Sequence, residues 1–194
     1  MQSNASGNLA GPTRLLAKFV ATLNYDELPR QVIEQAKTCV LDAVGSIFLG
    51  STLPWGGIIR AYVTSIAGKP ESTVIGGRVN VDAGNAALAN GTMAHGYEVD
   101  DVLICALHHP GVVIVPATLA TAEREDSTGK EFIAAVVAGY EVMNRVGKAV
   151  GTESHVMRGF FPTSTNGPFG AAAAAGKLFH LSAELSAALG KKAA

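Results

Sequence analysis

The sequence predicts an all-α protein, a multi-helix bundle with one small β-hairpin near residues 71–81. Apolar residues recur at three- and four-residue spacing through most segments, which is the period of a helix with one buried face. Proline and glycine stand where those segments begin and end. The chain shows no internal repeat and no linker rich enough to separate two units, so we expect a single helical domain over residues 1–194.

Proline and glycine delimit the first three predicted helices. A proline is tolerated in the first turn of a helix because its missing N–H would have no helical partner there, and a glycine commonly follows a helix end. On this basis we expect helices over residues 12–23, about 30–50 and about 55–67.

The middle of the chain contains the one predicted departure from helical structure. Residues 71–81, ESTVIGGRVNV, place β-forming residues around a Gly-Gly pair, as a short hairpin does. Asp82 is expected to cap a helix over residues 83–100. Thr128 and Glu131 have the spacing of a capping box. Further expected elements are a loop over 103–111, an apolar helix over 112–123, a helix through 132–150, a loop over 151–168, a helix from 169 and a short helix from 182.

Composition and charge bear on the class of function. Only 16% of the residues are charged, the net charge is −1, and lysine and arginine form no cluster, so we expect no nucleic-acid binding. The first residues lack the plan of a signal peptide, and no apolar run approaches the roughly 18 residues that cross a bilayer. We therefore expect a cytoplasmic protein without membrane contact. The 48% hydrophobic share predicts that a partner chain or further sequence covers part of the surface.

The segment HGYEVDDVLICALHHP, residues 95–110, concentrates three histidines and three carboxylates in an otherwise apolar chain. If the preceding helix continues through Asp101, then His95, Glu98 and Asp101 lie on one helix face. An imidazole that contacts a carboxylate is held in one tautomer and exchanges protons near neutral pH, as general acid–base catalysis requires. The alternative is a capping loop whose histidines bond buried backbone carbonyls.

Metal binding is another interpretation of the same segment. Its histidines and the Asp100-Asp101 pair could ligate a divalent ion, as in helical metal-dependent phosphohydrolases. Those enzymes use a contiguous His-Asp pair, which this chain lacks, so we expect no metal. A nucleophilic triad is disfavoured because no serine or cysteine stands in a Gly-x-Ser-x-Gly turn.

A second polar stretch, RGFFPTSTNGPFG, begins at Arg158 and precedes an alanine-rich segment. Because a helix N-terminus attracts anions, Arg158 with Thr163, Ser164 and Thr165 forms a candidate carboxylate-binding loop. The alternative is a loop in which Thr165 or Asn166 only caps the helix. Neither stretch alone identifies a reaction.

Together these stretches resemble the MmgE/PrpD family, which includes 2-methylcitrate dehydratase, cis-aconitate decarboxylase and iminodisuccinate epimerase. The resemblance covers nearly the whole chain. It rests on the order Asn-Gly, His, acid-x-Asp-Asp, His-Pro and Pro-Thr-Ser before an alanine-rich helix. The matching blocks are ELPRQVIEQAKTCVLDAVGSIFLGS, AALANGTMAHGYEVDD, HHPGVVIVPATLATAERE and RGFFPTSTNGPFGAAAAAGKL.

The resemblance implies a helical domain that carries the active site, a smaller α/β lid, and a homodimer. It also implies a small polycarboxylate substrate and proton transfer at carbon with no metal or organic cofactor. We therefore expect this chain to hold the first part of the helical domain, without the lid, and to be incomplete as an enzyme by itself. Dehydration of a 2-methylcitrate-like substrate is the leading reaction. Decarboxylation, epimerisation and an inactive domain kept for self-association are the alternatives.

Residue roles follow from the resemblance position by position. His109 matches the catalytic histidine of the His-Pro motif, and His108 competes with it because the match needs one extra residue before it. We accordingly expect catalytic roles for His95, Glu98, Asp101 and His109, and substrate-binding roles for Asp100, His108, Arg158, Thr163, Ser164 and Thr165.

Three positions depart from the family pattern. Glu98 stands where members usually have aspartate, Val102 replaces a hydroxyl residue common in the decarboxylase branch, and Phe161 replaces a second active-site histidine. We still expect Glu98 or Asp101 to converge with His109 on one cleft, shared with the loop over 158–166, and His109 to be the inward-facing histidine.

Overall fold

A computed structural model describes residues 11–66 and 68–184. Within those residues, eight α-helices, a 3-10 turn at Tyr25–Glu27 and one hairpin form the regular structure. In chain order these are α1 (Pro12–Thr22), α2 (Arg30–Ser51), α3 (Pro54–Ile66), β1 (Ser72–Thr73), β2 (Asn80–Val81), α4 (Ala83–His95), α5 (Gly111–Arg124), α6 (Gly129–Val150), α7 (Thr152–Met157) and α8 (Pro162–Leu178). The predicted all-α bundle with a small β excursion is confirmed.

Helices α6 and α8 pack closely because glycine stands at their crossing. A Cβ atom on Gly170 would lie 2.9 Å from the carbonyl oxygen of Gly139, and one on Gly139 would lie 3.1 Å from that of Gly170. Ile114 of α5 fills the space beside this crossing, together with Met143 and Ala174. The small residues of α8 therefore bring its N-terminal turn against α5 and α6.

A second core joins α4 to α2, α3, α5 and the hairpin. Its largest buried members include Ile47, Val63 and Met93. The antiparallel hairpin is fixed to α4 by Asn90, whose amide donates to the carbonyl of Thr73 at 2.9 Å and accepts from the N–H of Ile75 at 2.9 Å. This core holds the C-terminal end of α4 in place.

Two predicted helix caps are present. Asp82 accepts from the N–H of Asn85 at 3.1 Å, and Thr128 and Glu131 make the reciprocal bonds of a capping box. Among the described helices, none by itself is long and apolar enough to cross a bilayer. Helices α2 and α3, bent by 92° at their junction, together have the length and composition for such a crossing.

The prediction that α4 continues to residue 100 is wrong. The helix ends at His95, with Gly96 as its C-cap, and Glu98 takes a left-handed backbone conformation with φ of 54°. A residue in that conformation cannot continue a right-handed helix. His95, Glu98 and Asp101 therefore do not share a helix face.

The prediction of a loop over 151–168 is also wrong. Helix α7 lies within that range, and α8 begins at Pro162, where the fixed φ of proline suits a first helical turn. Phe161 is the N-cap and makes no side-chain capping bond, so neither Thr165 nor Asn166 caps this helix. The short helix predicted from residue 182 lies mostly outside the described residues.

Candidate active site

Asp101 fixes the loop that joins α4 to α5. Its Oδ1 accepts from the N–H of Gly111 at 2.8 Å, and its Oδ2 accepts from the hydroxyl of Tyr140 at 2.9 Å. Its own N–H donates to Oδ2 of Asp42 on α2 at 3.1 Å. Burial raises the pKa of Asp101, and the bonds from Gly111 and Tyr140 oppose that rise. Asp101 thus ties the loop to α2, α5 and α6.

His108 is fully buried and bonded at both ring nitrogens. Its Nε2 lies 2.9 Å from Oδ1 of Asn144, and its Nδ1 lies 3.2 Å from Nδ2 of Asn166. The amide oxygen only accepts and the amide nitrogen only donates, so His108 carries its proton on Nε2 and is neutral. Burial lowers the pKa of His108. It is the more deeply buried of the two histidines, so the expectation that His109 is the one that faces inward and His108 faces away is wrong.

Asp100 lies between two histidine rings. Its side chain is fully buried; Oδ2 is 2.8 Å from Nδ1 of His109, and Oδ1 is 3.4 Å from Nδ1 of His95. The centroids of the two rings are 4.9 Å apart. The His95 and His109 side chains are 23% and 21% exposed, so both rings are accessible from one side while the carboxylate is not.

The contact between Asp100 and His109 is short but not aligned as a hydrogen bond. Oδ2 of Asp100 and Nδ1 of His109 are buried, and neither has a hydrogen-bond partner among the described residues. Buried polar atoms without a hydrogen-bond partner are rare, and each such atom favours a bound ligand or a proton with which it can form a hydrogen bond. The ligand atoms of His95, Asp100 and His109 also lie within 4.8 Å of one another, a donor set that a divalent ion could use.

The first turn of α8 completes this cluster. The backbone N–H of His109 donates to Oγ1 of Thr163 at 3.1 Å, and the Phe161 ring stacks on His95 with centroids 5.8 Å apart. His95, Phe161, Thr163 and the exposed Ser164 line a cleft between α4, α5 and α8. The cluster and the N-terminal turn of α8 therefore lie on the same side of the bundle, as the sequence predicted.

Other predicted site residues lie apart from this cluster. Glu98 is exposed on the turn after α4, and Arg158 is the exposed C-cap of α7; neither lines the cleft. Thr165 pairs with Nε2 of His155 at 2.7 Å. The carboxylate that converges with His109 is Asp100, where Glu98 or Asp101 was expected.

Four residues that hold the cluster in place were not identified from the sequence. Asp42 and Tyr140 hold Asp101, while Asn144 and Asn166 hold His108. The only sequence signal for them is a polar side chain within a mostly apolar helix. That signal does not say which neighbour each one meets.

The fold and the cluster define a helical domain with a histidine–aspartate site at the N-terminal ends of α5 and α8. The chain matches the MmgE/PrpD N-terminal domain over residues 14–193 and belongs to the MmgE/PrpD family.

Several named relatives are similar to it. The cis-aconitate decarboxylase-like protein oryM of Aspergillus oryzae is 30% identical over 187 residues, which cover 93% of this chain and 38% of that protein. Cis-aconitate decarboxylase of Aspergillus terreus is 28% identical, with the same shares covered. The human cis-aconitate decarboxylase is 30% identical over 88% of this chain and 36% of its own length. The chain thus spans little more than a third of the relatives it matches.

Proposed function

We propose that this chain carries the proton-transfer site of a lyase-type enzyme that acts on a small di- or tricarboxylate. The observation that supports this proposal best is the buried Asp100 carboxylate held between two partly exposed imidazoles. Such an arrangement keeps each ring oriented and provides a counter-charge for whichever ring holds the proton. It does so beside a cleft that a small ligand can enter and that His95 helps to line.

The roles divide among four residues. His109 moves the proton at the substrate carbon, because its ring is 21% exposed beside the Asp100 carboxylate and its backbone is fixed by Thr163. Asp100 orients it, and His95 supplies the second imidazole. The N-terminal turn of α8, with the exposed Ser164 hydroxyl, holds a substrate carboxylate through the positive end of the helix dipole.

Decarboxylation is the reaction that the named relatives favour, ahead of the dehydration that we placed first from the sequence. The bond between carbon and the departing carboxylate breaks, carbon dioxide leaves, and the electron pair remains on the substrate carbon framework. His109 then delivers a proton to that framework. Dehydration and epimerisation need the same group to remove a proton from carbon, so the site supports either as the second reaction.

Family membership favours this lyase over a helical metal-dependent phosphohydrolase. A second candidate function is an inactive domain kept for self-association. Leu41 on α2 and Ile58 on α3 are 73% and 70% exposed, which supports a homodimer through these helices. Under this candidate the histidine cluster is only structural.

Deuterium incorporation separates the two candidates, because it requires proton transfer but no complete turnover. The purified chain is incubated in D2O with succinate, tricarballylate, citrate or cis-aconitate, and loss of the carbon-bound proton signals is followed by NMR. We expect exchange in at least one of them, reduced about 100-fold in His109→Asn.

His180→Asn is the matched control, since His180 is exposed and does not line the cleft. It should exchange at the wild-type rate. Exchange that is absent from the wild type, or equal in both variants, contradicts the proposed proton transfer.

A further inference from the structure

The indole ring of Trp55 lies against the residue that ends α4. Trp55 is the second residue of α3, and Gly96, the C-cap of α4, follows His95 directly. A Cβ atom on Gly96 would overlap Nε1 of Trp55 and would lie 2.8 Å from its Cε2 and 3.0 Å from its Cδ1. The edge of the indole ring therefore occupies the space that any larger residue at position 96 would need.

The backbone conformation of Gly96 does not itself require glycine. Its φ of −64° and ψ of −15° lie in the right-handed helical region, which every L residue can adopt. What excludes a side chain at this position is the contact with Trp55. The absence of a side chain at Gly96 therefore allows α3 to approach the end of α4 closely.

The ring of Trp55 has little room to retreat, because α3 packs backbone to backbone on its neighbours. A Cβ atom on Gly56 of α3 would lie 3.0 Å from Cα of Ser51 at the end of α2. In turn, a Cβ atom on Gly50 of α2 would lie 2.9 Å from Cα of Met93, near the end of α4. The first turn of α3 is thus fixed relative to the end of α4 by more than the indole contact.

A hydrogen bond does not account for the position of the indole. Its N–H is buried and has no acceptor among the residues that the structure describes. An unpaired buried donor is destabilising, and phenylalanine would pack here without one. Packing therefore determines where the ring lies, and Gly96 is the neighbour at its N–H edge.

We propose that Trp55 is a positioning residue, which sets the end of α4 so that the His95 ring meets Asp100. This inference rests on the proposed function, because it takes His95 as part of the reacting cluster. Nδ1 of His95 lies 3.4 Å from Oδ1 of Asp100, which is already longer than a typical hydrogen bond. A small outward displacement of the helix end would therefore break this contact.

A double-mutant cycle in the full chain tests the inference through proton exchange at carbon in D2O. Gly96→Ala should slow exchange about 30-fold, because the new methyl group pushes the end of α4 away from the indole. Trp55→Ala should slow it about tenfold, because the helix end loses its support. In the double variant the methyl group has room, so exchange should stay near that of Trp55→Ala. Independent effects would instead multiply to about 300-fold.

Two further variants serve as controls. Gly84→Ala lies in the first turn of the same helix, where a Cβ atom meets only Oδ1 of Asp82 at 3.4 Å, an ordinary contact. This variant should exchange at the wild-type rate. Trp55→Phe keeps an aromatic ring against Gly96 and should keep exchange within about threefold of the wild type.

NMR of a chain labelled at histidine and phenylalanine reads the ring positions without any turnover. The His95 ring stacks on Phe161, with centroids 5.8 Å apart, so protons of the two rings should give a cross-peak. Gly96→Ala should remove this cross-peak and shift the His95 signals. The same substitution should leave the His95 signals unchanged when it is added to Trp55→Ala. The His155 ring, which stacks on Phe160, is the internal reference and should not shift.

The outcomes are distinguishable. If the wild type exchanges no proton, the proposed function fails, and the His95 signals still decide whether Trp55 sets the position of that ring. Losses that multiply in the double variant, or His95 signals that stay unchanged in Gly96→Ala, overturn the inference and leave the proposed function standing. If Gly96→Ala does not fold, recovery of the folded chain in the double variant supports the contact, and failure to recover overturns it.

Fluorescence shows which partner yields in Gly96→Ala. Trp55 is the only tryptophan of the chain, so its emission reports on this ring alone. We expect slowed exchange in Gly96→Ala, because the end of α4 moves. A shifted emission together with exchange at the wild-type rate would mean that the indole moves instead, and that result overturns the inference.

Discussion

The Nδ1 atom of His109 lies 2.8 Å from Oδ2 of Asp100, a carboxylate that no solvent reaches. A buried carboxylate is stabilised only by the groups around it, and here those groups include the two imidazoles. The side chains of Glu98 and Asp101 do not take this place. Glu98 is exposed, and both oxygens of Asp101 accept bonds from Gly111 and Tyr140.

Asp100→Asn should reduce proton exchange at carbon about 100-fold, because the amide keeps the shape of the carboxylate but not its charge. Glu98→Gln should reduce it less than threefold, since the side chain of Glu98 is exposed and does not line the cleft. The exchange rates of both variants are measured by NMR in D2O with the most reactive carboxylate. A larger loss in Glu98→Gln than in Asp100→Asn would return the catalytic role to the residue favoured by the family resemblance.

Tyr140→Phe should destabilise the protein by about 1–3 kcal/mol, because a half-buried carboxylate, Asp101, loses one of its donors. Burial raises the pKa of Tyr140, so its hydroxyl keeps the proton that it donates. The measurement is the free energy of unfolding in urea. Tyr62→Phe is the control, because Tyr62 is 54% exposed, and it should change stability by less than about 0.5 kcal/mol. Equal effects would mean that Asp101 does not depend on Tyr140.

The histidine cluster should work without a metal ion. We expect EDTA to leave the exchange rate unchanged. Added zinc should inhibit, because it would take the ligand atoms of His95, Asp100 and His109 that lie within 4.8 Å of one another. His95→Asn should weaken zinc inhibition at least about tenfold, through loss of one of three ligands. Loss of exchange in EDTA, restored by a divalent ion, would contradict the metal-free mechanism.

Stability should fall in mild acid because of His108. Burial lowers its pKa in the folded state below the ordinary value of 6.5. The unfolded chain therefore takes up this proton first as the pH falls. The stabilisation is fully present above about pH 6.5 and is lost as the pH falls towards the lower folded-state pKa, with a slope of at most about 1.4 kcal/mol per pH unit.

Urea unfolding at several pH values measures this slope, and His108→Gln should flatten it whatever its effect on absolute stability. Asp101 contributes in the opposite direction, because its folded-state pKa is raised by burial. The contribution of Asp101 is present in both the wild type and His108→Gln, so the difference between their slopes of stability against pH isolates His108. An unchanged slope in the variant would exclude His108 as the titrating group.

The sequence predicts the helices better than it predicts the site. Helical period and the capping residues Asp82 and Thr128 are local, and local signals determine where most helices lie. The path of residues 96–102 is not local. It depends on the left-handed conformation of Glu98 and on the bond from Asp101 to Asp42 in a distant helix.

That path decides which of three neighbouring carboxylates reaches His109, and no periodicity encodes it. The same limit applies to His108. Its burial depends on Asn144 and Asn166, which come from two helices far apart in the sequence. The pattern of residues in the sequence therefore predicts where in the chain the site lies. Which side chains meet there depends on tertiary packing.

Gly147→Ala should disturb the cluster by displacing the ring of His108. A Cβ atom at Gly147 would lie 2.6 Å from Cε1 of His108, a distance that real Cβ atoms essentially never show. His108 cannot yield easily, because its ring is bonded to Asn144 and Asn166. The variant should therefore lose about 1–3 kcal/mol of stability. Gly45→Ala in α2 is the matched control, since a Cβ there meets nothing within 4 Å, and it should gain roughly 0.5–1 kcal/mol from the higher helix propensity of alanine. Urea unfolding measures the stability of both variants.

Because His109 follows His108 directly, Gly147→Ala should also slow proton exchange, and Gly45→Ala should not. If both alanine variants are stabilised alike, the His108 ring moves freely and the buried pairing with the two asparagines does not hold the site.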